Sequence, residues 1–147
     1  VGIIDAQGHT ASFTGAQCFD WAGSLQGQHC AAQGNTLAGS PVVENMVSTF
    51  EDSRGSLAER LLAALQAGQA SGGDRRGQQS AALLVVRAGG GYGGFDDRYV
   101  DISVYDHPAP IAELERLYAI HRLTYFRSEP DQLVKIDRII AHELQQM

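Results

Sequence analysis

The segment 72–80 combines residue types that can bind a charged small molecule. Two glycines precede Asp74, two adjacent arginines follow it, and a third glycine closes the loop before an apolar run. Arg75 or Arg76 can bind a carboxylate through paired hydrogen bonds, and Asp74 can fix an amine or orient one of these arginines. The alternative is a solvated turn with a surface ion pair, because exposed pairs of this kind are common and weak.

A second candidate cluster consists of the side-chain amides Gln33 and Asn35, on either side of a glycine. Amide donors that are fixed in this way suit an oxyanion hole, in which preorganised N–H groups face the negative charge that develops during acyl transfer. The alternative is an Asn-Gly turn that leads into the next helix. The residues alone leave both interpretations open.

The two cysteines, Cys18 and Cys30, lie twelve positions apart. Cys18 with Asp20 and a histidine would make a thiol nucleophile. Cysteine is also among the most buried residue types, and the neighbouring Phe19 and Trp21 favour a place in the core. Two cysteines do not make a disulfide scaffold in a domain of this size, so we expect both to be reduced.

Three other patterns match a motif without the context that the motif needs. The segment 89–94 has the spacing of a dinucleotide loop, but a strand pattern follows it instead of a helix. The glycines of 72–80 have the spacing of a phosphate loop, but Gln78 stands where lysine is needed. A group of acids near His107 lacks EF-hand spacing, and a solvated strand edge explains it better. We therefore expect no cofactor and no metal. The acids near His107 are Asp96, Asp97, Asp101 and Asp106.

The composition excludes several functional classes. A chain of 147 residues with 44% hydrophobic residues suits one globular domain over 1–147. The net charge of −6, with a single lysine, is a poor match to nucleic acid. No apolar run approaches the ~20 residues that span a bilayer, and the first residues show no secretory pattern. We expect a cytoplasmic protein that binds neither nucleic acid nor membrane.

Period-two patterns predict the strands. A hairpin is expected over 1–15 and a further strand over 29–33. The near-continuous apolar run 80–87 predicts a strand that is buried on both faces. The alternating run 98–105 predicts a strand with one wet face.

Capping signals predict the helices. Ser40 is expected to be an N-cap, with Pro41 in the first helical position. The capping-box pattern over 56–59 starts a second helix, which is expected to end at Gly68. Pro110 opens a long helix, and a last helix is expected over 128–144. The order of strands, helix pair, strands and helix pair favours an α+β fold with helices on the faces of a sheet.

Four motifs together resemble the family called domain of unknown function 1028. They lie at 18–23, 33–39, 72–83 and 91–101, and their order and spacing also fit. Members of that family look like N-terminal-nucleophile hydrolases. The resemblance therefore implies a four-layer αββα sandwich, and hydrolysis of a small amide or peptide-like substrate.

Residue type and motif position within this resemblance assign roles to six residues. The amides would stabilise the oxyanion, and the Asp-Arg-Arg loop would bind the charge of a small-molecule substrate. The expected catalytic residues are Gln33, Asn35 and Asp74, and the expected substrate-binding residues are Trp21, Arg75 and Arg76. The alternative function is a non-catalytic module that binds a carboxylate or an amino acid through the same loop.

The chain departs from the family at its start. Family members carry a segment before the position of Val1, including the first core strand, and their nucleophile would be a Thr, Ser or Cys at a mature N-terminus. Val1 has no nucleophilic side chain, so we expect this chain to be the later part of a longer domain. Two alternatives follow: the upstream segment with the nucleophile is a second chain, or this chain is an inactive piece. The missing strand would leave an edge prone to pairing. The apolar faces of the C-terminal helices either cover the sheet or pack in a homodimer, and we favour the homodimer.

Overall fold

The computed structural model of the protein describes residues 1–126. These residues form a mixed α/β fold of three α-helices and three two-stranded antiparallel sheets. None of the helices in this part is both long and apolar enough to cross a membrane. The helix expected over 128–144 lies outside the described residues. The strands are β1 Gly2–Ile4, β2 Thr10–Ser12, β3 Gly23–Gly27, β4 Cys30–Gly34, β5 Ala81–Val86 and β6 Arg98–Val104, and the helices are α1 Pro41–Asp52, α2 Leu57–Ala70 and α3 Pro110–Tyr125.

The first two hairpins stack on each other, and α1 covers the second hairpin. β1 pairs with β2, and β3 pairs with β4. The Ser24 hydroxyl of β3 donates to the Ser12 hydroxyl of β2 at 3.0 Å, which joins the two hairpins. Successive side chains of a strand point to opposite faces, and Ala32 on the other face packs against Val43 and Val47 of α1. The result is three layers in the order hairpin, hairpin, helix.

The third hairpin, β5–β6, packs against α2 and α3 and holds the larger apolar core. Val100 of β6 and Leu114 of α3 are 0% exposed, and the burial of such a side chain contributes about 1.5–3 kcal/mol. This core joins the two helices to one face of the hairpin. Its buried members are Ala58, Leu62, Leu83, Val85, Val100, Val104, Leu114 and Tyr118.

Strand β5 corrects one expectation. The apolar run predicts burial on both faces, but only Leu83 and Val85 are buried. Leu84 is 56% exposed and Val86 is 66% exposed. The reason is that no described element covers the second face of the hairpin.

The expected end of the second helix is wrong. α2 continues through Gly68 to Ala70. Gly68 is buried, and a Cβ at this position would lie 2.7 Å from Cγ of Met46 in α1. This glycine therefore permits the close approach of two helices and does not end one.

The two predicted N-caps differ in outcome. Ser40 stands at the N-cap of α1, but its side chain makes no capping hydrogen bond, because its backbone is already helical at φ −58° and ψ −32°. The capping box of α2 is confirmed. The Glu59 amide donates to the Ser56 hydroxyl at 3.3 Å, and the Ser56 amide donates to the Glu59 carboxylate at 2.8 Å.

The second hairpin was only half predicted. Strand β4 begins one residue later than expected, because His29 lies in the turn with a positive φ of 59°. Strand β3 was not predicted at all. Its residues, Gly23–Gly27, include no β-branched or aromatic side chain, so its sequence lacks the usual strand signal.

Candidate functional site

Backbone hydrogen bonds bring three of the sequence motifs side by side. The Leu37 amide donates to the Trp21 carbonyl at 3.0 Å on one side of the middle segment. On the other side, the Arg75 amide donates to the Thr36 carbonyl at 2.9 Å. The motifs at 18–23, 33–39 and 72–83 therefore meet, although the third lies far from the first two in the sequence.

Gly72, two residues before Asp74, is required by the backbone of this junction. Gly72 has φ +111°, which L-residues rarely adopt. A Cβ at this position would also lie 2.5 Å from Cβ of Ala38. Gly72 thus allows the loop to pass close to the middle segment and places Asp74 opposite Leu37.

Asp74 and Arg76 form a two-point ion pair. The Arg76 Nε donates to Oδ1 of Asp74 at 2.9 Å, and Nη2 donates to Oδ2 at 2.6 Å. The Arg76 amide also donates to Oδ1, at 2.8 Å. These bonds lower the pKa of Asp74 to about 2, with the side-chain bond from Arg76 as the largest cause. The Arg76 side chain is 73% exposed, so the pair orients the guanidinium more than it stabilises the fold.

A polar cleft of about 880 Å³ lies beside this pair, and we call it the Asp74 cleft. Its far wall is formed by the residues that follow β6. The Gln79 side chain donates to Asp106 Oδ1 at 3.1 Å, and the His107 amide donates to the Gln79 carbonyl at 2.9 Å. Polar groups therefore surround a space large enough for a small molecule.

His107 has a defined tautomer in this wall. The Ala109 amide donates to Nδ1 of His107 at 3.0 Å, so Nδ1 is an acceptor. A neutral ring must then carry its proton on Nε2. His107 thus carries an N–H donor and lines the Asp74 cleft.

The predicted amides lie in a different cleft, which we call the amide cleft. It measures about 370 Å³, and Gln33 and Asn35 line it together with Cys18 and Val1. Neither Asp74 nor Arg76 lines it. The structure therefore divides four of the six predicted residues between two clefts. Arg75 lines neither cleft, and its guanidinium donates to the carbonyl of Asp20 within the 18–23 motif.

Trp21 serves the core of the hairpin layer. It packs against the cluster of Ala32, Val43 and Val47. It is not among the residues that line either cleft. Its place supports the backbone of the middle segment through the hydrogen bond from Leu37.

Both cysteines are free thiols, and they differ in exposure. Cys18 is exposed, so the expectation that it lies in the core is wrong. The neighbouring Phe19 is 78% exposed, since it points away from the hairpins instead of joining Trp21 in the cluster. Cys30 is half-buried, and burial raises the pKa of its thiol.

The acids around the glycine loop hold that loop in place. Asp97 Oδ1 accepts from the Gly89 amide at 2.9 Å, and Asp101 pairs with Arg98. Within residues 1–126, no group of three or more His, Cys, Asp or Glu side chains is placed to hold a metal ion. As expected from the sequence, a strand and not a helix follows this loop.

Gln79 and His107 are members of this site that the sequence patterns do not predict. The signal lies in the antiparallel register, which pairs Ala81 with Val104. This pairing brings the residues before β5 next to those after β6. A pairing prediction for the two strands would therefore have placed His107 beside the loop of Asp74.

Comparisons with known proteins agree with this fold. Among curated proteins, no sequence matches the chain. The crystal structure of a protein from Silicibacter pomeroyi, assigned to the family DUF1028, superposes with a TM-score of 0.71 at 33% sequence identity. The match covers 82% of this chain and 49% of that chain, so the chain spans about half the length of this relative.

The sequence model described as "Family of unknown function (DUF1028)" matches residues 1–114. This match covers well over half of the 147 residues, and it includes all three motifs that meet beside Asp74. The chain therefore belongs to the DUF1028 family.

Proposed function

We propose that the Asp74 cleft binds a small molecule that carries a carboxylate. The observation that supports this function is the orientation of Arg76, whose guanidinium is held by two bonds to Asp74 at the wall of the cleft. A guanidinium has five N–H donors. Within residues 1–126, Asp74 is the only hydrogen-bond partner of the Arg76 side chain, so donors are left for a ligand.

The charge of Asp74 restricts the ligand further. Its low pKa keeps the carboxylate ionised at neutral pH, so it repels a ligand that carries only negative charge. An amine next to the ligand carboxylate removes this conflict, because Asp74 can accept from the amine while Arg76 binds the carboxylate. We therefore favour an amino acid or a short peptide-like compound.

Titration calorimetry with a panel of free amino acids, their N-acetyl forms and their amides tests this proposal. Arg76→Ala is expected to weaken binding at least tenfold, because a hydrogen bond to a charged group contributes about 1.5–3 kcal/mol. Arg116→Ala is the matched control, since Arg116 also pairs with an acid, Glu113, on the exposed surface of α3. Equal binding by both variants would contradict a ligand site at Arg76.

The second candidate function is hydrolysis of a small amide or peptide-like substrate, with the nucleophile outside this chain. The amide cleft favours it, because Gln33 and Asn35 line one space and carry the N–H donors that an oxyanion needs. The layer order also favours this function. Two stacked hairpins and a helix correspond to the ββα part of an αββα sandwich of the N-terminal-nucleophile type. In this proposal Asp74, Arg75 and Arg76 bind the charge of the substrate.

Steady-state kinetics of the whole protein on amides of the bound ligand separates the two functions. Asn35→Ala is expected to lower kcat about 10²–10³-fold and to change KM little, because an oxyanion donor acts mainly in the transition state. Arg76→Ala is expected to raise KM instead. Ligand binding without any turnover would contradict the hydrolase function and would remain consistent with the binding function.

A further inference from the structure

An apolar cleft separates the two clusters of buried residues, and we call it the central cleft. It has a volume of about 300 Å³. Helices α1 and α2 form its floor, and strands β4 and β5 flank it. Its lining contains no charged side chain. Representative lining residues are Cys30, Ala32, Met46, Leu62, Leu84 and Leu114.

Both flanking strands turn an edge towards the central cleft. Three consecutive residues of β4, 30–32, and three of β5, 82–84, line it. Because successive side chains point to opposite faces, consecutive residues line one space only where the edge of the strand faces that space. β4 is hydrogen-bonded to β3 and β5 to β6, and neither strand has a second partner within residues 1–126. The cleft is thus an apolar floor between two unpaired strand edges.

An unpaired edge and an apolar floor suit an extended polypeptide better than a small molecule. Small-molecule sites carry a few polar side chains that fix the orientation of the ligand, and the central cleft has none. An added strand would use the main-chain groups of the edges and place alternate apolar side chains on the floor. The exposed side chains of Leu84 and Val86 continue this surface along β5.

The relative from Silicibacter pomeroyi indicates the source of such a strand. This chain matches 49% of that protein, so a comparable length of its polypeptide lies outside the match. We propose that the central cleft is the docking site of an extended apolar segment from this unmatched part of the family domain, which adds a strand beside β5. The proposal does not depend on the ligand of the Asp74 cleft.

A second copy of this chain fits the central cleft less well. The cleft is bounded on both sides by strands of one chain, so its occupant has to be thin. The β5 edge of a second copy brings α2 and α3 with it, because these helices pack on the same hairpin. Two such edges therefore cannot enter the space between β4 and β5 without a clash.

The thiol of Cys30 reports on occupancy of the central cleft, because it lines the cleft while Cys18 does not. We would co-express the tagged 147-residue chain with the unmatched part of the Silicibacter pomeroyi protein and measure alkylation of both thiols by mass spectrometry. The segment is expected to co-purify and to slow alkylation of Cys30 at least tenfold relative to the chain alone. Alkylation of Cys18 serves as the internal reference.

Paired variants then locate the contact. Leu84→Lys, or Ala82→Lys if the first variant does not fold, is expected to release the segment and restore alkylation of Cys30. Leu123→Lys is the matched control, because Leu123 is 88% exposed on α3 away from the cleft. A chain that purifies without the segment, or with Cys30 equally reactive, overturns the proposal. If the chain without the segment forms a dimer in which Cys30 is protected from alkylation, the cleft is occupied by a second copy. That outcome also overturns the proposal.

Discussion

Arg76 dominates the electrostatics of Asp74. Its side chain is the largest cause of the low pKa, its backbone amide comes second, and the charge of Arg75 contributes least. A carboxyl with a lowered pKa in the folded state stabilises the fold above its ordinary pKa of 3.8 and loses this effect as the pH falls towards about 2. The pair is exposed to solvent, so its importance lies in the fixed geometry of the guanidinium.

Removal of the two arginines in turn tests this order of causes. Arg76→Ala is expected to raise the pKa of Asp74 from about 2 towards 3.8, because the bonds from its side chain are lost. Arg75→Ala is expected to raise it much less. Carbon-detected NMR titration of the aspartate carboxyls measures both values. A larger shift in the Arg75 variant would mean that Arg76 does not hold the carboxylate.

Side chains cap the start of α2, whereas no side chain caps the start of α1 or α3. Ser56 also lies within hydrogen-bond distance of the hydroxyl of Tyr118, at 3.2 Å, so the cap touches α3. The bonds from Ser56 lower the pKa of Glu59, with Arg122 as a smaller cause. This stabilisation is present above the ordinary pKa of Glu59 and is lost as the pH falls through its lowered value.

Substitution of two serines compares a capping side chain with one that does not cap. Ser56→Ala is expected to lower the free energy of unfolding by about 0.5–2 kcal/mol, because the Glu59 amide loses its acceptor and the hydroxyl contacts with Glu59 and Tyr118 are lost. Ser40→Ala is expected to change it by less than about 0.5 kcal/mol, since the Ser40 side chain caps nothing. Urea unfolding at pH 7 measures both. A cost at Ser40 equal to that at Ser56 would contradict the assigned caps.

At the scale of the whole molecule, the local signals were predicted well and the long-range arrangement was not. Helices α1 and α3 and the strands β5 and β6 follow from periodicity and from proline and glycine signals. The division of Gln33 and Asp74 between two clefts depends on which strand lies next to which, and single-sequence patterns do not contain this information. The same limit explains β5, because its apolar run shows that both faces are apolar but not what covers them.

The family was recognised from short motifs because these motifs meet in space. The residues around Trp21, Leu37 and Arg75 exchange backbone hydrogen bonds, so their spacing in the sequence reflects one junction. The junction positions the backbone, whereas the side chains that face the two clefts determine the chemistry. A motif match therefore establishes the family and its fold, and leaves the ligand to be found by experiment.

The two stacked hairpins are joined by hydroxyl and amide side chains, such as those of Ser12, Ser24 and Gln26. All three residues of β1 are exposed, so this first layer buries little apolar surface. Opening of such a layer costs less free energy than opening of the core around Val100. Because Val1 and the residues after β2 form a wall of the amide cleft, separation of the layers and widening of that cleft are one event. The width of the amide cleft is therefore governed by the local stability of the outermost hairpin, and not by the stability of the whole fold.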